Sequence, residues 1–166
     1  VREAKARGAK VLGICNVVGS TLTREAHNIL YIHAGPEIGV ASTKAYTAQV
    51  CMMYLFALKL SLARKSISVS RANEIIKSLK TVPSAITHIL RMKQKIAKVA
   101  LGNAHFGSFL FLGRNVNYPT ALEGALKLKE ISYIHAEGYA AGEKKHGPTA
   151  LIDEYRAVVC LAPESD

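Results

Sequence analysis

Residues 109–151 read FLFLGRNVNYPTALEGALKLKEISYIHAEGYAAGEKKHGPTAL. Phe109, Leu110, Phe111 and Leu112 form a short apolar run stopped by Gly113, the pattern of a strand buried on both faces of a parallel sheet. Pro119 marks a helix start, because the first-turn N–H that proline lacks has no intrahelical partner anyway. Along that helix Glu123, Lys127 and Glu130 fall at i, i+4 and i+7, and at about 100° per residue the three point the same way. Leu122, Ala125, Leu126 and Ile131 lie mostly on other sides, and the helix is followed by a loop ending in His146-Gly147-Pro148. A carboxylate, an ammonium and a second carboxylate thus form a stripe above the carboxyl end of a strand, where open α/β sheets bind ligands. From spacing alone the stripe is better described by a solvated face with an ion pair worth about 0.2–0.5 kcal/mol.

Upstream, residues 2–7 read as the tail of a helix ending near Gly8, and Lys10–Asn16 (KVLGICN) as a strand. The polar GSTLTREA segment is turn-like and leads into a second strand, Ile29–His33. This alternation is that of a parallel α/β sheet. Residues 33–49, HAGPEIGVASTKAYTAQ, begin with a loop enforced by Gly35, Pro36 and Gly39, and Ser42 or Thr43 then caps a long helix. Loop amides and hydroxyls of this kind hold sugar hydroxyls, and a helix N-terminus favours anions, although ordinary capping accounts for the same residues. Tyr46, Val50, Met53 and Leu60 continue as an apolar face suited to core packing. From Ser66 to Asn103 the spacing is helical. Ser70 is expected to cap a helix ending near Lys80, and Pro83 to open the next, with Ile86, Ile89, Leu90, Ile96 and Val99 as its inner side. Arg156–Ala162 contains a further apolar strand.

The chain has 166 residues, of which 49% are hydrophobic, enough for one good core or two small ones. Its formal charge of +10 invites a nucleic-acid reading. However, Arg71, Lys77, Lys80, Arg91, Lys93, Lys95 and Lys98 are dispersed, with few aromatics between them for base stacking. A solvated basic face or a contact with an acidic domain fits better. Val50–Leu58 is apolar but short and is followed by Lys59, so no membrane span is expected. The opening VREAKARGAK is charged and helix-like, unlike a secretory signal. Cys15, Cys51 and Cys160 have no paired spacing and read as buried thiols of a reducing cytoplasm, and neither they nor the histidines suggest a metal site.

The wording of residues 117–148, NYPTALEGALKLKEISYIHAEGYAAGEKKHGP, resembles the second sugar isomerase (SIS) domain of the glutamine–fructose-6-phosphate aminotransferases, or glucosamine-6-phosphate synthases. Residues 33–49 resemble their first SIS domain. The resemblance implies an α/β fold with SIS-type parallel sheets flanked by helices, as two partial SIS domains joined by helices. Residues 1–80 would be the C-terminal part of the first domain plus a connecting helix. Residues 81–166 would be a connecting helix plus the N-terminal part of the second, with the boundary around Thr81–Ser84. A phosphate-gripping loop, a glutaminase domain with its terminal cysteine, and a C-terminal lysine associated with Schiff-base chemistry are expected outside this chain, which is therefore expected to be an inactive fragment by itself.

The implied reaction converts fructose 6-phosphate and glutamine to glucosamine 6-phosphate. It needs ring opening, imine formation and a proton moved from C1 to C2, hence a positioned base. The resemblance gives that role to Glu130 and ring opening to His146, whose ordinary pKa of about 6.5 suits proton exchange near neutrality. It has His146 reach the site from a neighbouring subunit, implying a homodimer. Glu123 and Lys127 take supporting positions, with Lys127, and Arg114 after the strand, available to stabilise developing oxygen charge. Val40 and Ala41 place backbone groups near the sugar, beside Ser42, while Glu137 and Glu143 read as structural or solvated. Asn115 stands where the family pattern has glycine, and Thr149 where it has leucine. No cofactor and no metal are expected; the expected partners are the sugar phosphate and the glutaminase domain, with no nucleic acid and no membrane. A stand-alone SIS isomerase or deaminase, or a non-catalytic SIS sugar-phosphate sensor, are the alternatives. Retention of Glu130, Lys127 and His146 together argues against the sensor, because binding alone needs no proton shuttle.

Overall fold

Parallel strand pairing sets the architecture. The computed structural model describes residues 1–163 as α1 (Arg2–Ala6), β1 (Leu12–Cys15), α2 (Thr21–Glu25), β2 (Asn28–Tyr31), α3 (Lys44–Ala63), α4 (Val69–Leu79), α5 (Val82–Arg91), α6 (Lys93–Gly102), β3 (Ser108–Gly113), α7 (Tyr118–Ser132), β4 (His135–Ala140) and β5 (Arg156–Leu161). The chain divides into two compact units, one from Val1 to Thr87 and one from His88 onward. The expected α/β fold with parallel sheets is what forms.

In the first unit β1 and β2 pair in parallel, from Leu12 opposite Asn28 to Cys15 opposite Tyr31. Between them the GSTLTREA segment is not a bare turn: Ser20 accepts the Thr23 N–H and starts the helical turn of α2. Glu25 at its end receives the Arg2 guanidinium, and its carbonyl receives the Lys5 ammonium at 2.7 Å, which ties α1 to α2. The 20 residues of α3 span about 30 Å. A two-stranded sheet is too narrow a platform for such a helix, and of its residues only Ala45 and Leu58 are buried. Val50, Met53 and Leu60 were expected in a core and are more than a third exposed. By length and composition alone α3 would also cross a membrane, although core helices of soluble proteins pass the same test. Ser68, rather than Ser70, caps α4 by accepting the Arg71 N–H at 3.1 Å.

In the second unit three parallel strands lie in the order β4-β3-β5. The central strand carries the buried Leu110 and Leu112. The sequence leads one to expect a loop over residues 135–140, whereas HAEGYA pairs along the whole of β3 as β4. Gly138 hid the strand, since glycine weakens strand propensity, and it also explains the packing. A Cβ there would lie 2.8 Å from the Leu122 Cα and 2.9 Å from its N, so α7 approaches β4 as closely as a bare backbone permits. Ala121 and Ala125, one turn apart on α7, are both buried. Ile96 and Val99 of α6 do turn toward the sheet, beside Phe109, Phe111, Leu128 and Val159, but α6 stands off across an apolar groove of about 730 Å³. They stay half-exposed, and Ile86, Ile89 and Leu90 are exposed too, against the expectation of an inner side. None of the three cysteines is buried: Cys15 and Cys51 are half-buried and Cys160 is exposed.

The α7–β4 contact predicts that Gly138→Ala destabilises the protein by about 1–3 kcal/mol, the usual cost of overpacking, because two of the opposing atoms, the Leu122 Cα and N, are backbone and cannot rotate away. A lowered denaturation midpoint with an unchanged slope checks it.

Candidate functional site

The turn from β3 into α7 positions the charged stripe. Asn115 takes a left-handed φ of +50°, a conformation that glycine and asparagine adopt more readily than other residues. Asparagine thus preserves the backbone shape that the expected glycine would give. The Asn117 N–H donates to the Arg114 carbonyl at 2.9 Å, and α7 follows at once with Pro119 in its first turn. Because Ala121, Leu122 and Ala125 take up the sheet-facing side, Glu123, Lys127 and Glu130 share a flank of the helix.

The structure brings these three side chains together. The Lys127 ammonium lies 2.5 Å from Glu130 Oε2 and 3.3 Å from Glu123 Oε1. All three side chains are a quarter exposed or less, unlike the Arg7–Glu3 and Arg71–Glu74 surface pairs, which are 60% exposed or more. The hydrogen bond to Glu130 raises the Lys127 pKa above its ordinary 10.5; partial burial opposes the shift and Glu123 adds to it. Lys127 is therefore a fixed cation at neutral pH. It orients one oxygen of Glu130 and leaves Oε1 without a partner among the described residues. A carboxylate held through one oxygen can accept a proton at the other from a group placed beside it.

The other expected residues are placed separately. Arg114 is exposed at the end of β3, with no ion pair among the described residues. His146 ends the 3-10 turn Ala141–His146 and is exposed, with no hydrogen bond to the stripe among the described residues. Val40, Ala41 and Ser42 lie in the first unit, in the loop before α3. Val40 is 89% exposed there, while Ala41 and Ser42 are half-buried. Thr43 occupies the N-cap position without a side-chain capping bond, so the capping expected of it is not made. Instead the loop is held by Asn16, whose side chain donates to the Gly35 carbonyl at 2.7 Å and accepts the Ala34 N–H at 2.9 Å. The Lys44 ammonium also donates to the Pro36 carbonyl, and a cleft of about 230 Å³ opens among Pro36, Glu37, Gly39, Ala41 and Thr43. Asn16 is not singled out by the sequence pattern; its position at the end of a strand before a polar turn is the signal it carries.

A second polar group sits on β4. Tyr139 donates to Glu137 Oε2 at 2.5 Å, and His135 Nε2 lies 3.4 Å from Glu137 Oε1. The hydrogen bond to Glu137 raises the Tyr139 pKa. Since Gly138 faces α7, strand alternation puts these three residues on the opposite face of the sheet from the stripe. Among the described residues no group of three or more His, Cys, Asp or Glu side chains is arranged to hold a metal ion.

Residues 1–59 and 104–165 match the SIS domain family. A glutamine–fructose-6-phosphate aminotransferase (isomerizing) from Methanosarcina acetivorans is 54% identical over 162 residues, which are 98% of this chain and 26% of that protein. Among solved structures, the C-terminal domain of glucosamine-fructose-6-phosphate aminotransferase from Francisella tularensis superposes with a TM-score of 0.95 at 38% identity, over 99% of this chain and 47% of that one. A glucosamine-6-phosphate deaminase from Thermotoga maritima matches with a TM-score of 0.64 at 26% identity, over 94% of this chain and 45% of that one. The chain spans about a quarter of the length of the curated relatives it matches.

Because the pKa of Lys127 is raised, the ion pairs contribute stability throughout the acidic and neutral range above carboxylate titration, and lose it only as pH climbs past 10.5 through the raised value. In Glu130→Gln, Lys127 should titrate closer to 10.5, as followed by NMR of its ε-carbon. An unchanged midpoint would remove Glu130 as the main cause.

Proposed function

This chain belongs to the SIS domain family, and from that premise we propose that it is part of the isomerase region of an enzyme making glucosamine 6-phosphate from fructose 6-phosphate and glutamine. The observation that carries the reading is the Glu123–Lys127–Glu130 group, half-buried with both carboxylates paired to the one ammonium, in a chain 54% identical to proteins named for that reaction. Moving a proton from C1 to C2 beside an imine needs a base that both takes and returns it. Glu130 fills that role with its open oxygen, while Lys127 holds it in place and offsets charge that develops on the sugar oxygens. Glu123 fixes Lys127 from the other side.

In this reading Val40, Ala41 and Ser42 contact the sugar, and Arg114 adds positive charge at the carboxyl end of β3. His146 opens the ring, reaching the site from the neighbouring subunit of a homodimer. Nitrogen comes from a glutaminase domain elsewhere in the same protein. The enzyme is cytoplasmic and uses no metal or dissociable cofactor. The domain boundary falls in the helical connection, with residues 1–80 belonging to the first SIS domain and 81–166 to the second. Deamination by a stand-alone SIS enzyme is the lesser reading, because the deaminase likeness is weaker in both identity and superposition.

The test uses the complete protein containing this segment, assayed for glucosamine 6-phosphate from fructose 6-phosphate with glutamine or with ammonia. Glutamine-dependent product is expected. Ammonia-only turnover or net deamination would move it to the stand-alone enzymes, and tight binding without turnover to a sensor. Glu130→Gln should retain sugar-phosphate binding and lose roughly 10²–10⁴-fold in kcat, the usual worth of a general base; full activity would remove Glu130 from the mechanism.

A further inference from the structure

We infer that Thr149 is a positioning residue for His146, through a hydroxyl that closes the loop on which the imidazole is carried. The inference rests on the reading of His146 as the ring-opening group.

The His146 side chain is exposed and makes no hydrogen bond among the described residues, so its direction is set by the backbone beneath it. That backbone changes course at once. The 3-10 turn Ala141–His146 ends, Gly147 takes φ +138° and ψ −53°, and a second 3-10 turn runs over Pro148–Leu151. Two short turns joined by a glycine have little stiffness of their own. What joins them across His146 is Thr149, whose Oγ1 donates to the Lys144 carbonyl at 2.7 Å. The bond reaches back over Lys145, His146, Gly147 and Pro148, and no other side-chain hydrogen bond spans that interval among the described residues.

Thr149 is itself anchored forward. Its carbonyl accepts the Ile152 N–H at 3.2 Å, and the Ala150 N–H donates to the Gly147 carbonyl at 2.9 Å. The neighbouring Leu151 carbonyl accepts from the guanidinium of Arg156. Arg156 begins β5 and is paired in register with Ser108 of β3. The hydroxyl of Thr149 therefore completes a chain of bonds from Lys144, on one side of His146, to the sheet on the other. Leucine, the residue that the resemblance leads one to expect, could not donate that bond.

Thr149→Val removes the hydroxyl and keeps the branched shape, while Thr149→Ser keeps the hydroxyl and loses a methyl. Both are made in the complete protein. The readouts are kcat per titrated active site, KM for fructose 6-phosphate, and hydrogen–deuterium exchange of residues 141–151. The valine variant should lose roughly 3- to 10-fold in kcat, the fold-change that one net hydrogen bond is worth, with KM held within about twofold. Its loop amides should exchange faster, and the serine variant should match wild type on all three. Unchanged kcat and exchange in Thr149→Val, or equal impairment in both variants, would overturn the inference. If the wild-type protein makes no product, the activity reading fails and the catalytic part of this inference falls with it; the exchange comparison then still decides whether the hydroxyl tethers the loop.

Discussion

The close approach of α7 to β4 is the constraint on which the candidate site depends. With no side chain on Gly138, and with alanines at 121 and 125, the helix lies on the sheet at backbone distance. Its rotation about its own axis is then set by small residues that admit no alternative seat. That rotation puts Glu123, Lys127 and Glu130 on the flank, half-buried and within reach of one another. Larger residues at the contact would lift the helix and turn the stripe, so packing and chemistry are one requirement here.

Within the stripe, the single cation organises two anions. Lys127 bonds Glu130 tightly and Glu123 more loosely. The hydrogen bond to Glu130 raises the Lys127 pKa further above neutrality. Two carboxylates without an ammonium between them would repel, and the group would lose its fixed geometry. The loop bearing His146 solves a different problem. Its histidine lies in a polar, exposed segment, so its placement falls to backbone tethers rather than to packing.

Much of this was legible in the residues. Gly113 and Pro119 bracketed β3 and α7, and heptad-like spacing alone aligned the three charges. The family resemblance added roles that spacing could not give. Other features depended on context. β4 was hidden because His135, Glu137 and Gly138 interrupt the apolar pattern, and its pairing with β3 supplies what its composition lacks. α2 was hidden because five residues hold too little periodicity, and a single cap at Ser20 decides it. Ser68 and Ser70 are equivalent as letters, but only Ser68 has the extended backbone, φ −74° and ψ 156°, that lets its hydroxyl reach the Arg71 N–H. The apolar faces of α3 and α5 were legible as faces, yet their burial requires a second layer that neither unit of the described chain provides for them.

The most direct test of the central claim, that this stripe moves a proton at the sugar, is an isotope measurement. The complete protein would turn over fructose 6-phosphate in D₂O with its nitrogen donor, and NMR would locate deuterium in product and recovered substrate. The account predicts that the proton held on Glu130 exchanges with solvent before it is returned, giving deuterium at C2 of glucosamine 6-phosphate in the wild-type protein, with neither product label nor exchange at C1 when Glu130 is glutamine. Wash-in that persists undiminished in the glutamine variant would contradict it, and would place the base elsewhere than on α7.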